Sequence, residues 1–195
     1  MASSPWLNPK LVVAASPIAG LGLRAVVEIA ECEVCCRLGG TLMNDDEFAS
    51  YIAGRDRYSA LAIDEGLNLV QSDNDDTTKG NHSCDPNLWL RDARTVVARF
   101  GIAAGAEATI DYALMTVDPN WSMECNCGAT RCRGRITGDD WRSPELQPIY
   151  REHWSPFIER RIADLNVEVI DQTERATRRS HRINHRGRES PQEEL

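Results

Sequence analysis

Three cysteines, Cys125, Cys127 and Cys132, form a C-x-C-x4-C cluster around Gly128. Three thiolates this close on a glycine turn suit tetrahedral zinc, and a structural site of that kind needs a fourth ligand from elsewhere in the chain. A disulfide or a redox pair is the competing use of the same residues. The other cysteines are Cys32, Cys35, Cys36 and Cys84. Cys32 and Cys35 make a C-x2-C pair, half of a second knuckle by spacing. They lie in an apolar stretch, however, where small thiols commonly fill a core, and are read as core residues. Cys84 sits in a loop with turn residues on both sides and is free to reach across space. It is the expected fourth ligand. Any fold of this chain must then tie the loop of Cys84 to a segment far along the sequence.

The chain has 195 residues, the length of one domain with room for a tail. A hydrophobic fraction of 42% and a charged fraction of 27% fit a soluble globular protein. No apolar run reaches membrane-spanning length. The opening MASSPWLNPK lacks a basic stretch followed by an apolar core, so no secretory signal is expected. The expected location is cytoplasmic, or nuclear in a eukaryote. In such a reducing compartment clustered cysteines read as metal ligands. The net charge of −8 predicts a solvated acidic surface that favours a basic partner and repels phosphate. Direct nucleic-acid binding is therefore not expected, except through an Arg-rich tail.

Short β-branched runs dominate the first two thirds. LVVAAS and RAVVEI read as strands joined by a turn at IAGLGL. NDDEFASYI reads as a short helix capped by Asn44, with Asp45, Asp46 and Glu47 at the positive end of its dipole. YSALAI and LNLV, then TVVARF and the end of IAAGAEATIDY, read as further strands; SDNDDTTKGNHSCDPN reads as a loop. SPELQPIY and SPFIERRIADL each open with Ser-Pro, a helix cap followed by the preferred first position. In the second, Phe157, Ile158, Ile162 and Leu165 form an apolar stripe. From Thr173 onward the chain is polar and Arg-rich, and is read as disordered. The expected class is mainly β with C-terminal helices.

Several segments together resemble one family. Asn81-His82-Ser83-Cys84-Asp85-Pro86-Asn87 is similar to the NHSC-x-PN signature of SET-domain protein lysine methyltransferases. Glu107-Ala108-Thr109-Ile110-Asp111-Tyr112 resembles their E-x-x-x-D-Y segment, and Gly20-Leu21-Gly22 their N-terminal G-x-G turn. Cys125 to Gly134 resembles their post-SET zinc cluster, whose fourth ligand is the cysteine of NHSC. The motifs run in the family's order.

The resemblance implies a SET fold, small β-sheets with a pseudoknot, over residues 1–118. It implies a post-SET cluster over 119–136, a helical extension over 137–170 and a polar tail over 171–195. The implied activity is S-adenosylmethionine-dependent methyl transfer to a lysine of a basic protein. Gly20, Leu21, Gly22, Asn81, His82 and Tyr112 would meet the cofactor, and Tyr112 would stand at the methyl-transfer channel. Cys84, Cys125, Cys127 and Cys132 would hold zinc. The residue chemistry agrees. A Gly-x-Gly turn lets backbone approach a ligand closely, although a plain hairpin turn uses the same residues. Asn81 can donate and accept at once, and a loop Asn bonding its own backbone is the bland alternative. His82 is expected to be a hydrogen-bonding structural residue, because methyl transfer to a neutral amine hardly needs a base.

Two positions depart from the pattern. The family's R-F-x-N before the heptapeptide is Thr78-Lys79-Gly80-Asn81 here, and Leu38 stands where a second channel tyrosine is common. A catalytically silent SET-fold zinc protein that binds a partner is the alternative these changes motivate. Methylation of a small molecule or a non-lysine target is a third.

Overall fold

The computed structural model describes residues 4–55 and 57–167. The polar tail expected over 171–195 lies outside the described residues. The chain divides into two units, Met1–Glu159 and Arg160–Leu195. Among the described residues no helix is long and apolar enough to cross a membrane.

The first unit is mainly β. Strands β1 (Trp6–Leu7), β2 (Leu11–Ala15), β3 (Leu21–Ala25) and β4 (Val34–Arg37) come first. Then follow β5 (Thr41–Asn44), α1 (Asp45–Ile52), β6 (Ser59–Asp64) and β7 (Leu67–Gln71). Strands β8 (Asn81–His82), β9 (Leu88–Leu90), β10 (Thr95–Ala98) and β11 (Glu107–Ile110) complete the larger sheet. A hairpin of β12 (Ser122–Glu124) and β13 (Arg135–Thr137) carries the cysteine cluster between its strands.

The large sheet runs β1-β4-β10-β9-β11-β3-β2, with β8 also on β11. Strand β11 is its crossing point. It pairs antiparallel with β3, and parallel with both β8 and β9. The register Thr109↔Asn81 and Ile110↔His82 lays the polar loop beside the strand that runs into Asp111 and Tyr112. Sequence spacing alone keeps these segments far apart. A second sheet, β5-β7-β6, adjoins α1. Asn44 caps α1 as the sequence predicts: its side chain accepts from Glu47 N at 2.9 Å, and Glu47 returns the bond to Asn44 N.

The core contains Leu23, Ile29, Leu69, Leu90 and Leu114, all fully buried. Cys35 joins it as expected and Cys36 lies beside it, and burial pushes both thiols up to about 12. Cys32 does not. It is exposed, at a positive φ of 62° in the turn before β4.

Two further expectations change. Strand β3 begins at Leu21 and stops at Ala25, so Val26 and Val27 are half exposed. Its last residue, Ala25, pairs with Leu11, the first residue of β2, while the ladder with β11 starts at Glu107 opposite Arg24. SPELQPIY forms consecutive turns rather than a helix. Ser143 Oγ accepts from Leu146 N at 3.3 Å, as a cap does. Pro148 then has no N–H to give and its ring crowds the carbonyl four residues back, so the helix does not propagate. The second Ser-Pro segment is helical from residue 156, with Ser155 Oγ accepting from Ile158 N. Phe157 and Ile158 are buried in the first unit. Residues 160–167, the described part of the second unit, are helical, with Ile162 and Leu165 half-buried.

Gly138 closes the β12–β13 hairpin onto the preceding loop. A Cβ there would fall on the backbone carbonyl of Asp118. Backbone yields less readily than a side-chain tip, so Gly138→Ala is expected to cost about 1–3 kcal/mol. The check is a fall in the urea midpoint with an unchanged slope.

Candidate functional site

The turn between β2 and β3 is built by Ser16, whose Oγ accepts from Ile18 N at 2.9 Å. Gly20 follows at φ +49°, and nothing lies within 4 Å of where its Cβ would be. That face of the turn is open to a ligand. Gly22 serves a different purpose. A Cβ there would strike the Glu107 carboxylate and press on Asn81 Nδ2. Asn81 Nδ2 donates to the carbonyls of Ala19 and Leu21, both at 3.1 Å, and to Glu107 Oε1 at 2.8 Å. Ser16 Oγ donates to the same carboxylate at 2.8 Å. Asn81 therefore braces the glycine turn with its amide nitrogen. Glu107, which sequence reasoning left without a role, anchors both; only its place at the head of the E-x-x-x-D-Y segment marked it.

His82 points inward, its side chain 2% exposed. Burial pushes its pKa down from 6.5 to about 4, so the imidazole is neutral. Its Nδ1 accepts from Tyr112 N at 3.3 Å, which puts the proton on Nε2, 3.3 Å from Cys84 Sγ. Asp111 Oδ1 lies 3.6 Å from Nδ1 but forms no ion pair with a neutral ring. His82 thus ties Tyr112 to the cysteine cluster. Because its folded pKa is depressed, its contribution is present above about 6.5 and is lost as pH falls toward 4. The unfolded chain takes the proton in that window and the folded chain does not. Stability is expected to fall as the pH drops from 7.5 to 5. Urea midpoints at the two values, with excess metal ion present, check this; equal midpoints would mean the ring protonates freely in the fold.

Tyr112 follows β11 in a 3-10 turn. Its hydroxyl donates to Gly80 O at 2.9 Å. Burial pushes its pKa up to about 12, so it stays a neutral hydroxyl. The ring meets His82 and Trp121, at centroid distances of 5.3 and 6.3 Å. Tyr112 also lines a cavity of about 680 Å³ together with Leu38, Phe48, Tyr58 and Trp121. Among the described residues, Asp45 and Asp118 are its charged lining residues and no Lys or Arg borders it.

Asp111, directly before Tyr112, is fully buried. Its carboxylate accepts from Arg133 Nη1 at 2.6 Å and Nη2 at 2.8 Å, from Tyr150 OH at 2.9 Å and from Ala113 N at 3.0 Å. A buried charge with this many donors is compensated. The sequence marked Asp111 only as part of the E-x-x-x-D-Y segment, and marked neither Arg133 nor Tyr150 as its partners.

The sulfurs of Cys84, Cys125, Cys127 and Cys132 all lie within 4.8 Å of one another. Cys84 and Cys125 are 3.7 Å apart. A tetrahedron with metal–sulfur bonds of about 2.3 Å has edges of about 3.8 Å, so the cage fits a metal ion. Backbone N–H groups point at three of the sulfurs: Arg133 N at Cys84, Cys84 N at Cys127 and Gly134 N at Cys132. Burial works against the Cys127 thiolate, but the N–H of Cys84 and its neighbours bring it down to about 6. These four residues can hold a metal.

No protein-family profile matches the chain. Among solved structures it is similar to the methyltransferase domain of human histone-lysine N-methyltransferase SETMAR. The TM-score is 0.55 at 20% identity, over 66% of this chain and 58% of that one. The fold is that of a SET domain. Curated relatives agree over shorter stretches. Histone-lysine N-methyltransferase ASHH2 of Arabidopsis thaliana is 36% identical over 66 residues, covering 30% of this chain and 4% of the relative. Human histone-lysine N-methyltransferase 2B is 38% identical over 60 residues, covering 27% and 2%. A SET domain-containing protein of Phaeosphaeria nodorum is 37% identical over 71 residues, covering 32% and 11%. The chain thus matches only a small part of each relative's length. In this SET fold the glycine turn, Asn81, the Tyr112 turn and the cysteine cage are brought together by one strand, β11, and its parallel neighbour β8.

Proposed function

We propose that the chain is a protein lysine methyltransferase that uses S-adenosylmethionine, with structural zinc on Cys84, Cys125, Cys127 and Cys132. The observation that carries this reading is the neutral Tyr112 hydroxyl on the wall of a largely apolar cavity, on the turn that leaves β11 beside β8. The open face of Gly20, with Asn81 holding the turn behind it, would receive the cofactor. Leu21 is half exposed there and adds apolar contact.

When bound, S-adenosylmethionine supplies a methyl group on a sulfonium, open to in-line attack by an amine. The chain's residues make that amine available and aim it. The apolar walls desolvate an entering lysine and favour its neutral form. Asp45 and Asp118 line the cavity and suit a side chain that arrives charged. Tyr112 gives its own proton to Gly80 O, so its oxygen lone pairs remain to accept from the amine N–H. With a pKa near 12 it is no base at neutral pH, and the lysine proton leaves to water. Catalysis is then mainly orientation. A basic protein is the proposed substrate, because the chain is acidic and, among the described residues, Asp45 and Asp118 are the charged groups on the cavity wall.

A second reading is a catalytically silent binding module. Leu38 in the cavity wall, where a second tyrosine is common, favours it. The two are separated by titrating S-adenosylmethionine into metal-loaded protein by calorimetry and assaying transfer to core histones by product mass. The first reading expects binding and a methyl-sized mass gain on lysine. Binding without transfer favours the module, and no binding removes the first reading.

A further inference from the structure

The segment beyond the cysteine cluster reaches back to the turn that carries Tyr112. Asp111 caps that turn by accepting from Ala113 N at 3.0 Å, and Leu114 N and Met115 N bond within it. Two groups of the extension grip its two ends. Tyr150 OH donates to Asp111 Oδ2 at 2.9 Å, and Ser155 N donates to Leu114 O at 3.0 Å. Tyr150 itself is 1% exposed and lies edge-on to Trp154, with ring centroids 5.4 Å apart.

The Asp111 carboxylate has two donors on each oxygen. Oδ1 takes Arg133 Nη2 and Ala113 N; Oδ2 takes Arg133 Nη1 and Tyr150 OH. A carboxylate has about four acceptor sites, so the set leaves it no freedom to turn. Without the Tyr150 hydroxyl it can rotate with the guanidinium and slacken the bond to Ala113 N. Tyr112 lies between Asp111 and Ala113, and its ring is held at the far end by a single hydroxyl bond to Gly80 O. A shift of the turn therefore becomes a shift of the hydroxyl in the cavity.

We propose that Tyr150 is a positioning residue for Tyr112, acting through Asp111, so that the extension after the cysteine cluster completes the catalytic turn. This rests on the reading of Tyr112 as the residue at the reacting atoms. The Tyr150 hydroxyl is not what buries the extension. Trp141, Trp154, Phe157 and Ile158 are each buried there. Removing one oxygen therefore separates positioning from packing.

The test compares full-length, metal-loaded wild type with Tyr150→Phe, which keeps the ring and its burial. Both carry 3-fluorotyrosine for fluorine NMR, with the Tyr112 line assigned from Tyr112→Phe. The expected result is a shifted or broadened Tyr112 line with the Tyr51 and Tyr58 lines unmoved. With core histones as acceptor, kcat falls about tenfold while KM for S-adenosylmethionine and metal content hold, since small misplacements at a reacting centre are costly. An unmoved Tyr112 line, or an unchanged kcat, overturns the proposal. If wild type transfers no methyl at all, the methyltransferase reading falls, and the fluorine line alone decides whether Tyr150 positions Tyr112.

Discussion

Removing the metal with a strong chelator is expected to unfold the β12–β13 hairpin and abolish binding of S-adenosylmethionine. The hairpin has little apolar core of its own. Its buried residues Cys125 and Ile136 cluster with Cys84 from the loop after β8, with Tyr112, Trp121 and Met123 packed against them. A metal ion held by the four cysteines would replace the hydrophobic core such a small element lacks. Structural zinc contributes on the order of 10 kcal/mol in small zinc domains, comparable to the whole stability of an ordinary domain. The loss reaches the cavity because Tyr112 and Trp121 belong to both. Two measurements check it: one metal ion per chain in clean protein, and a steep drop in melting temperature with a change in tryptophan fluorescence on chelation. Clean, folded protein without metal would contradict the assignment of Cys84 as a ligand.

The second large effect is expected at Arg133. Arg133→Met leaves the Asp111 carboxylate fully buried with only Tyr150 OH and Ala113 N to satisfy it. Breaking one side of a buried pair costs about 3–5 kcal/mol, because the remaining charge has nowhere to go. Arg135→Met, two residues on, provides the contrast. Its pair with Glu124 is 3.3 Å long but lies in solvent, the side chains 62% and 74% exposed. That change is expected to stay within about 0.5 kcal/mol. Urea midpoints of the two variants, measured with metal bound, should differ by several-fold in their displacement from wild type. Equal displacements would mean that Asp111 does not depend on Arg133.

What was legible in the sequence was local or chemically conspicuous. The capping box of Asn44 and Glu47 needs only a three-residue spacing. The apolar runs at Leu11, Ser59 and Thr95 are short, lie between turn residues and form strands. Cys84 could be picked out because the other spare cysteines sat in an apolar stretch. Other features depend on partners that spacing does not reveal. Where β3 ends depends on where its two partners, β2 and β11, begin. Cys32 looked like its neighbours but occupies a turn at positive φ. SPELQPIY had a helix start, and Pro148 inside it outweighed that signal. The Asp111 bonds join residues 22 and 39 positions apart, to Arg133 and Tyr150. Neither partner stands out until the hairpin and the extension have folded back. Glu107 is similar: its carboxylate has a task only once Gly22, Asn81 and Ser16 surround it.

The central claim is that Tyr112 lines a channel in which methyl is moved to lysine. The most direct measurement is transfer of radiolabelled methyl from S-adenosylmethionine to a mixture of basic proteins, by metal-loaded wild type and by Tyr112→Phe. Loss of an orienting hydroxyl at the reacting centre is expected to cut transfer roughly 100-fold while cofactor binding stays close to wild type. A labelled protein band that fades to that extent in the variant is the predicted result. No label from wild type that carries metal and binds the cofactor, or equal label from both proteins, would contradict it.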